Sequence, residues 1–142
     1  MNRRNRSWYG LLLFVSVGAH FLGIGSGPLA WTMLVLQFLA YPQLVYWRAR
    51  RAADQRAAEL GNLAIDAVLL GVWAAALGFP VWITFIFLVS VSINMTVFRG
   101  RRGFVEAFAW TAGGAGLAVL AGGFHFHPQT GWPATLLCIA AI

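Results

Sequence analysis

The sequence predicts an all-α membrane protein, a bundle of six transmembrane helices with both termini on the cytoplasmic side and a sixth helix cut short at the C-terminus. Three observations carry that prediction. Of 142 residues, 60% are hydrophobic and only 10% charged, with a mean hydropathy of +0.73, which is too apolar for a water-soluble domain. Apolar runs recur at bilayer-spanning lengths. The ten basic residues are all arginines, and they fall before the first run and in the second and fourth connections, while the first, third and fifth connections carry no charge. Short arginine-rich segments stay on the cytoplasmic face and neutral ones cross, so this alternation orients the whole chain.

The first run, about 8–25, follows Arg3, Arg4 and Arg6 and spans roughly 27 Å as helix, enough for one crossing. A charged start, an apolar middle and the pair Gly23/Gly25 also resemble a signal peptide in outline, but no soluble mature region follows. Ser26-Gly27-Pro28 is a turn, and a second run covers about 29–47. The arginine connection that follows, with Arg48, Arg50, Arg51 and Arg56 in the stretch that begins at Tyr41-Pro42, then marks the cytoplasmic side.

The third and fourth runs, about 60–77 and 81–98, are separated by Gly78-Phe79-Pro80, where glycine and proline favour a turn. Arg99, Arg101 and Arg102 form the next basic connection. The fifth run covers about 104–123, and Phe124-His125-Phe126-His127-Pro128-Gln129-Thr130-Gly131 is an uncharged outer connection. The sixth run, 132–142, spans only roughly 16 Å as helix, about half the hydrocarbon thickness. The expectation is one membrane domain over 1–142, with more protein beyond Ile142.

A net charge of +6 raises nucleic acid as a partner. The arginines border apolar runs and no basic patch with interleaved aromatics lies on a soluble element, so the lipid bilayer and its anionic headgroups are the expected partner instead. Cys138 is the single cysteine, which excludes an internal disulfide or a cysteine metal cluster. Ala19/Gly23, Ala109/Gly113 and Ala112/Gly116 are spaced four apart for close helix contact, within one subunit or at a homodimer seam.

Polar residues inside the apolar runs are the candidate functional groups. Glu59, Asn62 and Asp66 share one helix face, with Asp66 roughly 10 Å deeper than Glu59. An ionisable group at that depth turns inward toward partners, either as a structural hydrogen bond or as a polar latch that reports helix movement. Ser90 and Asn94 lie four apart on the fourth run and can face Asp66, with Ser92 and Thr96 on an adjoining face. Glu106 is expected to pair with Arg101 or Arg102. His20, His125 and His127 all map to the outer side and are candidates for sensing a small ligand or lipid, or for holding a metal ion, haem or quinone. No nucleophile–base pair, phosphate-binding glycine loop or paired carboxylate stands in an aqueous segment, so these residues are not expected to form an enzyme by themselves.

Pro42-Gln43-Leu44-Val45-Tyr46-Trp47-Arg48-Ala49-Arg50-Arg51, and the run from Asp54 to Asp66 with Glu59, Asn62 and Asp66, resemble the second type of membrane-associated sensor domain. Ser90-Val91-Ser92-Ile93-Asn94-Met95 and Gly123 to Thr130 are similar to that family too. Gln43 stands where that family leads one to expect a histidine, and Asn94 where it leads one to expect an acidic residue. The resemblance implies a six-helix input module at the N-terminus of a bacterial adenylate, guanylate or diguanylate cyclase. It further implies a homodimer in the inner membrane and a cytoplasmic catalytic domain that takes ATP or GTP with Mg. The competing reading from the residues is a small redox or transport subunit in which the histidines hold haem or quinone.

Overall fold

The structure, a computed structural model, describes residues 3–141, and of residues 3–6 it describes the backbone alone. The side chains of the arginine-rich start, and Ile142, therefore lie outside the described residues. Helices and no strands make up the regular structure among the described residues. The order is α1 (Arg3–Ile24), α2 (Pro28–Val35), a π-helical turn (Leu36–Ala40), α3 (Tyr41–Arg51), α4 (Gln55–Ala76), α5 (Val81–Gly122) and α6 (Trp132–Ala140). Four stretches are long and apolar enough to cross a membrane: Ser7–Ile24, Pro28–Arg51, Gln55–Ala76 and Val81–Gly122.

Two compact units divide the chain, one formed by the residues up to Ala58 together with those from Thr130 onward, the other by Glu59–Gln129. In the first unit α1 packs against α2, α3 and α6. Pro42 has no N–H to give the Phe38 carbonyl, and there the helical ladder widens into the π-turn that joins α2 to α3. Gly10 of α1 sits against that turn: a Cβ there would collide with the Phe38 carbonyl oxygen and lie 3.2 Å from Pro42 Cγ. Gln43, one residue on, donates from Nε2 to Ser7 Oγ of α1 at 2.8 Å. Phe21 meets Trp31 edge to face at 5.6 Å, and Ser16 of α1 and Cys138 of α6 are both buried.

The second unit is built on α4 and α5. At 42 residues, α5 would be roughly 63 Å long if straight, about twice the hydrocarbon thickness. It is not straight. Gly100 adopts φ 60° and ψ −143°, a backbone conformation open to glycine and closed to residues with a Cβ. The chain folds back there, and a Cβ on Gly103 would collide with the Met95 carbonyl oxygen. The second arm returns to the end from which α5 started, because His127 N–H donates to the Gly78 carbonyl at 2.7 Å and Val81 N–H to the Pro128 carbonyl at 3.1 Å. Against α4, Gly71 faces the Thr111 carbonyl and Gly114 faces the Val68 carbonyl, each so near that a Cβ would overlap it. Membrane helices lack a hydrophobic force between them and gain instead from such backbone proximity.

Two expectations are corrected. The basic connection expected between 47 and 60 is mostly helix: α3 runs to Arg51 and α4 starts at Gln55, leaving Ala52, Ala53 and Asp54. Arg48, Arg50 and Arg51 occupy the last turn of α3, where cations complement the helix dipole. The fourth connection shrinks to Gly100, with Arg99, Arg101 and Arg102 helical on either side. Of the small pairs, open to contact within one subunit or at a homodimer seam, Ala109/Gly113 and Ala112/Gly116 face outward, and Gly23, Gly113 and Gly116 have nothing within 4 Å of where a Cβ would stand. Packing inside the second unit uses Gly71, Gly103 and Gly114 instead, because those positions, and not the outward pairs, point at a neighbouring backbone.

Candidate functional site

The polar face of α4 is the most concentrated set of functional groups in the second unit. Glu59 is 9% exposed and Asn62 fully buried, with Asp66 half-buried one turn further on, and all three are engaged with other groups of the protein. Ahead of them Asp54 caps α4, its Oδ1 accepting the Ala57 N–H at 2.9 Å. On the first arm of α5, Ser90 and Ser92 are buried. Asn94 Nδ2 donates to the Ser90 carbonyl of its own helix at 2.7 Å. Ser92 Oγ and Thr84 Oγ1 have no hydrogen-bond partner among the described residues.

Glu106 sits between two guanidinium groups, Arg99 Nη1 at 2.6 Å and Arg102 Nε at 3.3 Å. The sequence pointed to Arg101 or Arg102. Arg102 is a partner, and Arg99 replaces Arg101 because the reversal at Gly100 brings residue 99 alongside 106. The clamp therefore staples the two arms of α5 together just beyond their hinge.

At the opposite end, the turn after α4 is closed by a Schellman pattern: Phe79 N–H donates to the Ala74 carbonyl at 2.8 Å and Gly78 N–H to the Ala75 carbonyl at 3.0 Å. Gly78 takes φ 78°, as that motif requires. Phe79 also has positive φ, 58°, which is strained for a bulky residue and held in place by its surroundings. Those surroundings are the two backbone bonds to His127 and Pro128 and an aromatic row in which Phe79 meets Phe124 at 6.0 Å and Phe124 stacks on Phe126 at 6.1 Å. Segment 124–129 is thus a clasp on the α4–α5 turn.

His125 and His127 are exposed on the clasp, and His20 is buried within α1. Among the described residues no three His, Cys, Asp or Glu side chains gather closely enough to hold a metal ion. Sequence reasoning missed the Ser7–Gln43 bond, the π-turn and the strain at Phe79. Pro42 inside an apolar helical run was the available signal for the π-turn, whereas no sequence feature marks Phe79.

Comparison with known proteins places this geometry. A family profile described as the MASE2 domain matches residues 6–89. That span takes in α1, the π-turn, the arginine corner and the polar face of α4, and stops short of Ser90. Over 98 residues the chain is 35% identical to "Probable diguanylate cyclase DgcC" of Escherichia coli strain K12, covering 64% of this chain and 26% of that protein. The protein of the same name from Escherichia coli O6:H1 gives the same identity and coverage. The chain therefore spans about a quarter of the length of these curated relatives. No solved structure matches. With more than half of its length matched by that profile, the chain belongs to the MASE2 domain family.

Proposed function

We propose that this chain is the membrane-embedded sensory and dimerising input domain of a bacterial nucleotide cyclase, passing a stimulus to a cytoplasmic catalytic domain that follows residue 142. The observation that carries this reading is the family match over 6–89, together with a relative whose name is diguanylate cyclase and of which the chain spans about a quarter. A diguanylate cyclase output, from GTP with Mg, is the first choice, and an adenylate or guanylate cyclase output the second. In this reading the two arms of α5 cross separately and α6 begins the sixth pass, with both termini on the cytoplasmic side of the inner membrane, as the arginine alternation supports.

The roles follow from position. His125 and His127, with the clasp, are candidates for an outer sensing end, and His20 in the first unit is a separate candidate. Asn62, Asp66, Ser90 and Asn94 form the polar core that shifts between two arrangements, and the arginines at either end of the loops hold register with the bilayer. The outward face of the second α5 arm, with Ala109, Ala112, Gly113 and Gly116, is the surface for a second copy.

The full-length reading frame in membranes, supplied separately with GTP and ATP, tests this. Cyclic di-GMP from GTP is the expected product. Cyclic AMP or cyclic GMP would move the assignment to a class III cyclase, and no product from correctly inserted protein would return weight to the redox or transport reading. Asp66→Asn should change basal or stimulated activity, and unchanged values of both would remove Asp66 from transmission.

A further inference from the structure

The end of α3 carries a feature that the input-domain reading does not use. Arg51 lays its guanidinium over the Trp47 ring, 3.3 Å from the centroid. The two are one helical turn apart, so the stack is formed within α3 itself. Stacking occupies the flat face of the guanidinium and leaves its N–H edges directed outward, the geometry that meets phosphate oxygens in pairs. Arg48 and Arg50 stand beside it, exposed and, among the described residues, without a hydrogen-bond or ion-pair partner. Asp54, the next carboxylate in the chain, caps α4 through the Ala57 N–H and forms no ion pair with them among the described residues. The arginines at the α5 hinge differ, since Arg99 and Arg102 already close on Glu106.

Depth in the bilayer points the same way. The Pro28–Arg51 stretch is long and apolar enough to cross a bilayer and ends at this corner. Trp47, 56% exposed, therefore stands where hydrocarbon gives way to headgroups, the level that tryptophan favours. An exposed indole with three unneutralised guanidinium groups around it matches a negatively charged headgroup on a lipid chain. We propose that Trp47, Arg48, Arg50 and Arg51 form a docking surface for the phosphate of an anionic phospholipid.

The test reconstitutes the full chain in nanodiscs of phosphatidylcholine and phosphatidylglycerol in equal parts and reads the lipids retained on release by native mass spectrometry. The protein should retain phosphatidylglycerol preferentially. Each arginine removed should lower that preference by roughly five-fold, so R48Q/R50Q/R51Q should erase it while R99Q/R102Q leaves it in place. Should the triple variant fail to fold, R51Q with Trp47→Leu replaces it and should reduce the preference by at least the same five-fold. Retention unchanged in these variants, or lost equally in R99Q/R102Q, would overturn the proposal. So would displacement of phosphatidylglycerol by millimolar inorganic phosphate, which would make the corner a site for a free anion and not for a lipid.

Discussion

On the second arm of α5 two faces carry the same kinds of residue and have opposite surroundings. Gly114 looks at the Val68 carbonyl of α4 with no room for a methyl group, and across the crossing Gly71 looks equally closely at Thr111. Gly113, the adjacent residue, has nothing within 4 Å of its missing Cβ, nor does Gly116. The absence of a side chain is thus a packing requirement on one face, and on the other a vacancy that the folded chain leaves to lipid or to another protein. Residue type does not distinguish these two uses; direction around the helix does.

The packed face should break first. Gly71→Leu or Gly114→Leu forces a side chain into a backbone carbonyl, where no rotamer relieves the overlap, and should cost about 3 kcal/mol or more by overpacking. Loss of the monodisperse peak and a large fall in apparent melting temperature in detergent would register it. Wild-type melting in both variants would mean that α4 and α5 do not cross at these glycines.

The same contrast explains how much could be read in advance. Helix content and the turns at 25–27 and 78–80 follow from hydropathy and from glycine and proline, which are local properties of the chain. The small-residue pairs Ala109/Gly113 and Ala112/Gly116 were legible as pairs but not as outward-facing, because a four-residue spacing occurs on every face of a helix. Gly100 was legible only as part of a basic connection. That it alone reverses the chain depends on a φ and ψ set by the tertiary contact between Met95 and Gly103. The clasp was legible as a connection between helices, while its attachment to Gly78 and the strain at Phe79 involve residues about fifty apart in sequence, beyond any local signal.

Two smaller perturbations sharpen the comparison at the ends of the α5 hairpin. Gly100→Ala puts a Cβ on a backbone conformation that only glycine reaches easily, at a cost of about 1–3 kcal/mol, although nothing within 4 Å would touch the new methyl. Gly78→Ala meets both penalties in milder form: φ is 78°, and the added Cβ would lie 3.1 Å from His127 N. We expect about 1–2 kcal/mol there, with hydrogen exchange at His127 and Val81 accelerated together, since both amides belong to the clasp. Acceleration at Val81 alone would show that the two bonds are not one unit. Glu106→Gln removes the carboxylate from between Arg99 and Arg102, and because this clamp is partly exposed the loss should stay at about 0.5 kcal/mol.

The smallest effect on stability belongs to the open face, and for that reason it is the most informative about assembly. Gly113→Leu adds a side chain where the fold has only space, so the melting temperature of the isolated protein should be unchanged within about 0.5 kcal/mol. If the face receives a second copy, as proposed, the same substitution should abolish close helix approach between copies. Cysteine crosslinking from Ala109 or Ala112, in the Cys138→Ala background so that no other thiol reports, should then fall sharply in the Gly113→Leu protein while folding is retained. Equal crosslinking with and without the leucine would assign the open glycines to lipid contact and move the dimer seam to another surface.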